Sequence, residues 1–180
     1  MKATGIVRRI DDLGRVVIPK EIRRTMRIRE GDPLEIYTEK DGEVIFKKYS
    51  PMGELADFSS QICETMKNTA GHIVAVSDRD TIISVSGAPR KDLLERRVSG
   101  ELEQLMENRQ LYHYTTEKAP LIAADNVDKY TISIAAPIIS EGDVMGSVLF
   151  LVTDPSENLG EVELKLAQTV ASFLGKQMEN

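Results

Sequence analysis

Short β-branched runs separated by turn residues occupy the first fifty positions of the chain. They predict four strands, at residues 4–10, 15–18, 34–38 and 43–48. Pro19 fits the first turn of a helix over residues 20–27, in which Ile22 and Met26 lie four apart and face one side. Asp41-Gly42 lies between the last two strands and is a strong hairpin signal.

The predicted hairpin is apolar on both faces. We expect two sets, Leu34, Ile36 and Ile45 on one face and Tyr37, Val44 and Phe46 on the other. A lone core below about 60 residues is marginal, so this segment buries little surface by itself. A strand pair that is apolar on both sides needs a second layer, and we therefore predict an obligate homodimer with shared sheets.

Longer patterns follow residue 50. Ser50 and Pro51 fit the N-cap and first position of a helix whose apolar repeat runs to Gly71. Further strands are predicted at residues 73–77, 81–86, 111–115, 130–139 and 144–153, helices at 90–97 and 100–108, and a loop at 117–129. The sequence thus predicts an α+β chain with domains at residues 1–50 and 56–180, joined by a short linker at 51–55.

The helix predicted at residues 160–178 is apolar on two sides. One stripe contains Val162, Leu166, Val170 and Phe173, and the other contains Leu164, Ala167, Ala171, Leu174 and Met178. One stripe is enough for docking on a sheet. An apolar band wider than about 100° is unfavourable in water unless another surface covers it. The second stripe predicts contact with a helix of another subunit.

Net charge separates the two parts of the chain. All 180 residues sum to −6, but residues 1–50 contain 12 Lys+Arg against 9 Asp+Glu, a net +3. Residues 51–180 contain 11 against 20, a net −9. Screening confines charge interactions to roughly 8 Å at physiological salt, so a nucleic acid responds to the local balance. The first part is therefore the candidate for binding DNA.

Arginines dominate the cations of this first part. On the predicted helix, Lys20, Arg23, Arg24 and Arg27 follow an i, i+3, i+4, i+7 spacing, opposite Ile22 and Met26. A solvated charged face is the alternative interpretation, but further arginines on strands and at a turn favour DNA, because a guanidinium group suits phosphate oxygens and guanine edges. The predicted contacts with double-stranded DNA are Arg8, Arg9, Arg15, Lys20, Arg23, Arg24 and Arg27.

Three segments carry a family resemblance. They are Thr4-Gly5-Ile6-Val7-Arg8, Leu13-Gly14-Arg15-Val16-Val17-Ile18-Pro19 and Ile22-Arg23-Arg24-Thr25. Residues 1–50 thereby resemble the AbrB-type DNA-binding domain, which implies a swapped-hairpin β-barrel built by an intertwined dimer. The resemblance implies DNA contacts at Arg8, Arg15, Arg23 and Arg24. Arg27 and Arg29 depart from the small or neutral residues often found after the helix in that family.

The whole chain resembles two-domain sporulation regulators of spore-forming Firmicutes. The resemblance implies a GAF-like sensory domain over residues 56–180, with an antiparallel sheet and flanking helices, and a homotetramer formed through the terminal helices. It also implies activation and repression of late, forespore-stage genes by a cytoplasmic, nucleoid-associated protein. A small-molecule effector would fit between a sheet face and residues 89–129. The alternative is a domain that only drives oligomerisation.

Enzyme activity is not expected. Cys63 lies beside Ile62 and Met66 on a predicted helix, where an inert buried thiol is more common than a nucleophile with His72 as its base. His113, between two tyrosines, fits either alternation along a strand or a ligand contact.

Other candidate sites lack the required pattern. The acids Asp78, Asp80 and Asp92 do not have calcium-loop spacing, and residues 86–89 are too generic for a nucleotide loop. A single cysteine excludes an intrachain disulfide and a multi-cysteine zinc site. No apolar run approaches the roughly 18 residues of a membrane span. We expect no catalytic site, no metal, no cofactor and no membrane contact.

The sequence is compatible with three hypotheses about function. The first is a DNA-binding transcription regulator. The second is an antitoxin-like swapped-hairpin protein with a non-catalytic interaction domain, although such partners usually wrap a toxin with a disordered acidic tail. The third is a metabolite-binding enzyme, for which the sequence offers only Cys63 and His72.

Overall fold

The computed structural model describes residues 5–179. The chain divides into two compact units, Met1–Tyr49 and Ser50–Asn180, called here the first and second units. Helices and antiparallel strands occur in both, which confirms the α+β class.

One helix and one hairpin make up the regular structure described in the first unit. They are helix α1 (Lys20–Met26) and strands β1 (Leu34–Thr38) and β2 (Val44–Lys48). At the turn, the Glu39 N–H donates to the carbonyl oxygen of Glu43 at 3.0 Å, and Gly42 has a φ of 82°, which favours glycine. Asp41-Gly42 therefore forms the turn that the sequence predicts.

The register of the hairpin corrects the predicted faces. Ile36 lies opposite Phe46, and Tyr37 lies opposite Ile45. Directly opposed residues share a face of an antiparallel pair, so Ile36 and Phe46 form one face and Tyr37 and Ile45 the other. The turn sets this register, which the strand pattern alone leaves open. Both faces remain apolar.

Residues 5–10 and 15–18 lie outside any sheet, so the two strands predicted there are wrong for a single copy of the chain; residue 4 is outside the described residues. The turn between them is formed, because the Asp11 N–H donates to the Arg15 carbonyl oxygen at 3.0 Å. A strand needs partners for its backbone N–H and C=O groups, and one copy supplies no neighbouring strand for these segments.

Apolar side chains of the first unit are mostly exposed. Ten of the fourteen exposed large apolar residues in the described chain belong to it, namely Ile6, Val7, Ile10, Leu13, Val16, Val17, Met26, Ile36, Tyr37 and Val44. Val7 is 90% exposed and Val17 is 69% exposed. Pro19 is the one buried residue among residues 5–49. Within the described chain, this unit has no core of its own.

The second unit is built on a six-stranded antiparallel sheet. Its strands are β3 (Ile73–Asp78), β4 (Ile82–Ser86), β5 (Tyr112–His113), β6 (Leu121–Ile122), β7 (Thr131–Ser140) and β8 (Asp143–Val152). They follow the order β4-β3-β8-β7-β5, and β6 also pairs with β7. Pro137 lies in the part of β7 that neither β5 nor β6 pairs with, where a residue without an N–H is tolerated.

Helices cover both faces of this sheet. They are α2 (Pro51–Glu54), α3 (Ala56–Ala70), α4 (Arg90–Leu93), α5 (Gly100–Glu107) and α6 (Glu161–Gln177). On one face, α3 and α6 bury Met66 and Leu174 against Phe150. On the other face, α4 and α5 bury Leu93 and Leu102 in a second core. The second unit therefore has an apolar core on each side of its sheet.

Two glycines permit the closest approaches in this packing. A Cβ atom at Gly146 of β8 would overlap the carbonyl oxygen of Ser77 in β3. A Cβ atom at Gly175 of α6 would overlap the carbonyl oxygen of Ile139 in β7. Any larger residue at either position forces backbone segments apart.

The helix predicted from Ser50 to Gly71 is interrupted. Ser50 caps α2, since its Oγ accepts the Gly53 N–H at 3.3 Å, and Gly71, with a φ of 80°, ends α3. Between them, Leu55 has a φ of −93° and a ψ of 12°, which separates α2 from α3. Ser50 and Gly71 therefore lie at helix ends, as the sequence predicts. The break at Leu55 is not predicted by the sequence.

Residues 90–97 were expected to be one helix, but α4 ends at Leu93. The following residues turn and lie along β4, where the Ile82 N–H donates to the Arg96 carbonyl oxygen at 2.9 Å. Pairing with the sheet edge replaces further helical hydrogen bonds. The loop predicted at residues 117–129 also contains the short strand β6.

Candidate nucleic-acid interface

Helix α1 presents three of the predicted DNA-binding cations. Lys20 and Arg24 are exposed, and Arg23 is half-buried. With Glu21 they line a surface depression of about 490 Å³. Among residues 5–179, none of these cations forms an ion pair with Glu21. The helix therefore keeps a positive face.

Arg27 lies past the end of α1 and not on its cationic face. It adopts a left-handed conformation with a φ of 50°, and its N–H donates to the Arg24 carbonyl oxygen at 3.3 Å. Its own carbonyl oxygen accepts a hydrogen bond from Lys48 Nζ at 2.9 Å. Because the helix ends at Met26, the predicted i+7 position of Arg27 is wrong.

Arg15 is held at its turn by Asp11. The Asp11 carboxylate accepts the Leu13 and Arg15 N–H groups at 3.0 and 2.8 Å and the Arg15 Nε–H at 2.8 Å. The hydrogen bonds from the Arg15 backbone and guanidinium hold the pKa of Asp11 below its usual value. The Nε–H is one of five guanidinium donors, which leaves capacity for a DNA contact.

Arg8 and Arg9 lie on the segment that enters this turn. Both are exposed. Among residues 5–179, neither side chain forms an ion pair. The structure thus brings Arg8, Arg9 and Arg15 onto one exposed turn and its approach.

A second polar cluster holds the end of α1 near β2. The Asp32 carboxylate accepts the Arg29 N–H at 2.8 Å and lies 3.5 Å from Lys48 Nζ. Its side chain is only 5% exposed. The sequence does not indicate this cluster, because Gly31-Asp32-Pro33 signals a helix end but no distant partner.

The candidate nucleophile and base of the second unit have separate partners. Cys63 is fully buried, its Sγ lies 3.2 Å from Ser84 Oγ, and burial raises its pKa to about 11. His72 Nδ1 lies 3.3 Å from Glu157 Oε1. His113 Nε2 lies 2.7 Å from the Leu159 carbonyl oxygen.

The aspartates singled out in the sequence stabilise local structure. Asp78 Oδ1 accepts the Asp80 and Thr81 N–H groups at 2.8 and 2.7 Å, which closes the β3–β4 turn. Asp92 accepts the Tyr130 hydroxyl at 2.7 Å, and this hydrogen bond lowers the pKa of Asp92. Among residues 5–179, no group of three His, Cys, Asp or Glu side chains is placed to hold a metal ion.

Residues 89–129 cover one sheet face, as the predicted effector site requires, but large side chains occupy the space beneath them. Tyr112, Tyr130, Leu93 and Leu102 are at most 5% exposed there. A cleft of about 560 Å³ lies instead beside α3 and includes the generic residues 86–89.

Helix α6 has the two predicted apolar sides. Ala167, Ala171 and Leu174 face the sheet and are buried. Val162 is 75% exposed and Phe173 is 45% exposed on the other side. No helix in the described chain is long and apolar enough to span a bilayer.

Two family models match the chain. Residues 54–179 match the stage V sporulation protein T C-terminal family, described as a transcription factor. Residues 7–53 match the antidote-toxin recognition MazE family, described as a bacterial antitoxin. Both matches fall within the described residues 5–179.

Individual proteins are similar over the same regions. Stage V sporulation protein T of Bacillus subtilis (strain 168) is 49% identical over 182 residues, covering 99% of each chain. The transition state regulatory protein AbrB of the same organism is 56% identical over 63 residues, covering 32% of this chain and 65% of that protein. The GAF domain of an Acinetobacter phosphoenolpyruvate-protein phosphotransferase has a TM-score of 0.54 at 9% identity, covering 73% of this chain and 84% of that one. The last similarity confirms a GAF-like fold for the second unit.

Proposed function

The chain belongs to the stage V sporulation protein T family of transcription factors, and from that premise we propose how it binds DNA. It is a DNA-binding regulator of sporulation with an AbrB-like first unit and a GAF-like second unit. In our proposal, two copies of the first unit intertwine as a swapped-hairpin barrel and form one cationic surface for a double helix.

The exposed apolar side chains of the first unit carry this proposal. Val7, Val17 and Ile36 are each more than 60% exposed in one copy. Apolar surface of this extent marks an interaction site. A second copy would bury these side chains and supply strand partners for residues 5–10 and 15–18.

The DNA-binding surface is assigned to seven side chains, Arg8, Arg9, Arg15, Lys20, Arg23, Arg24 and Arg27. Arg24 and Lys20 are exposed and unpaired within residues 5–179, so they are free to neutralise phosphates. Arg15 is oriented by Asp11 and is the best candidate for bidentate recognition of a base edge. Arg27, at the helix end, contributes the least.

Binding of the full chain to duplex DNA over a range of salt concentrations tests this assignment. The logarithm of affinity should fall with the logarithm of salt concentration by about 0.9 per phosphate neutralised. Arg24→Ala should weaken binding and reduce the slope by about 1 per subunit without changing thermal stability. Lys40→Ala, in the exposed hairpin turn, removes the same charge and should change neither. A flat salt response of the unaltered chain would reject the proposal.

Assembly and regulation belong to the second unit. The α6 stripe that contains the exposed residues Val162 and Phe173 would pair two dimers into a homotetramer. A small-molecule effector would act by favouring one arrangement of these helices, and only to the extent of its differential affinity for the two arrangements. The tetramer would then activate some late, forespore-stage genes and repress others at the forespore nucleoid.

An antitoxin-like role is a second candidate, since residues 7–53 match an antitoxin family. The folded sheet after residue 53 differs from the disordered tail expected of such a protein. Purification of the chain from its own cells distinguishes the two. A stoichiometric toxin in the purified complex would favour the antitoxin role.

A further inference from the structure

An exposed cationic segment interrupts the acidic second unit. Residues 90–97, called here the cationic strap, contain Arg90, Lys91, Arg96 and Arg97, all of them exposed. Residues 51–180 contain 11 Lys+Arg, so four of the eleven occur within these eight positions. The strap has two acids, Asp92 and Glu95. Its net charge is therefore +2 in a region that sums to −9.

No acid among residues 5–179 forms an ion pair with the strap cations, although Asp92 interacts electrostatically with Lys91. Asp92 accepts the Tyr130 hydroxyl at 2.7 Å and lies 3.6 Å from Lys129 Nζ, which adds a fifth cation. Within residues 5–179, none of the four strap cations has a carboxylate oxygen within 4 Å. Their charge is available to an external anion.

The backbone of the strap is fixed and locally strained. The Glu95 N–H donates to the Ile82 carbonyl oxygen at 2.8 Å, and the Arg97 carbonyl oxygen accepts the Asp125 N–H at 3.0 Å. Glu95 has a φ of 61°, an unfavourable region for a residue with a side chain. Such strain persists where surrounding hydrogen bonds impose it, and it is concentrated at functional sites.

We infer that the cationic strap is a second contact with DNA phosphates, separate from the arginines of the first unit. The inference rests on the proposed function, because the first unit must bring the chain to DNA. Residues 90–97 span less than about 30 Å even if fully extended, so their long side chains can reach neighbouring phosphates of one duplex. The strap and the first unit belong to one chain, so DNA bound by the first unit has a raised effective concentration at the strap.

The double variant Arg96→Gln/Arg97→Gln in the full chain tests this inference. Binding to a long duplex is measured by fluorescence anisotropy from low to moderate salt. In the variant, the slope of log affinity against log salt concentration should be shallower by about 2 per subunit. The ratio of the affinity of the unaltered chain to that of the variant should therefore fall about tenfold when the salt concentration rises fourfold. The control Lys118→Gln/Lys165→Gln removes the same charge elsewhere in the second unit and should bind as the unaltered chain does.

A third variant identifies the chemistry of the contact. Arg96→Lys/Arg97→Lys should retain the slope, since phosphate accepts a point charge as well as a guanidinium fork. Equal slopes for the Gln variant, the control and the unaltered chain would overturn the inference. If the unaltered chain itself shows no salt-dependent binding to DNA, the proposed function is rejected together with the contact at the strap.

Discussion

The two units of this chain differ in where their apolar side chains lie. The second unit buries large residues such as Phe150 and Tyr130 on the two sides of one sheet. The first unit leaves Val7, Val17 and Ile36 largely exposed. The second unit is thus a fold that one chain completes, whereas the first carries the surface of a fold that requires two.

Net charge also differs between the two units. Residues 1–50 sum to +3 and residues 51–180 to −9. Cations clustered on the first unit attract a phosphate backbone, and the cationic strap is an exception within the acidic second unit. The largest cluster of cations in the chain therefore lies in the first unit.

The largest expected effect is a loss of stability in the second unit. Gly146→Ala should lower its free energy of unfolding by about 3 kcal/mol or more, because the new Cβ overlaps the Ser77 carbonyl oxygen. Gly100→Ala, where a Cβ meets nothing within 4 Å, should be nearly neutral. Thermal unfolding measures both. Equal stability of the two variants would contradict the tight β3–β8 packing.

The next prediction tests whether the first unit, unlike the second, needs a second copy of the chain to complete its core. Val17→Asp should weaken DNA binding about 100-fold, since a charge would be buried in the shared core. In a single copy Val17 is 69% exposed, and the same change would then be harmless. Ala119→Asp, at an exposed loop position of the second unit, serves as the control. Its affinity for DNA should stay within about threefold of the unaltered chain.

Sequence patterns predicted those parts of the fold in which local signals agree with tertiary structure. Asp41-Gly42 gave the hairpin turn, and Ser50 and Gly71 gave helix ends, because each depends on neighbouring residues alone. The break at Leu55 and the short α4 follow from packing against distant strands. No local signal reports such contacts.

The candidate interface was predictable to a different extent. The spacing of Lys20, Arg23 and Arg24 was enough to place three cations on α1. The support of Arg15 by Asp11 and the clamp between Asp32 and Lys48 needed the folded backbone. The strands expected at residues 5–10 and 15–18 depend on a second chain, which one sequence does not specify.

The smallest effect concerns the turn that orients Arg15. The pKa of Asp11 is lowered in the folded state, so its stabilisation of the turn is present at neutral pH and is lost as the pH falls through that lowered pKa. An NMR titration of the Asp11 carboxyl carbon should give a midpoint below the usual value of about 3.9. Asp11→Asn should weaken DNA binding only a fewfold. A midpoint at or above the usual value would mean that Asp11 does not hold Arg15.

Hydrogen exchange of backbone amides in the full chain tests the shared barrel most directly. In one copy, residues 6–10 and 16–18 belong to no strand, and their amides would exchange at nearly the rate of an unfolded chain. If two copies intertwine, these amides pair across the new sheet and should be protected to the same degree as those of β1 and β2. Rapid exchange of both segments at concentrations where the protein binds DNA would contradict the account.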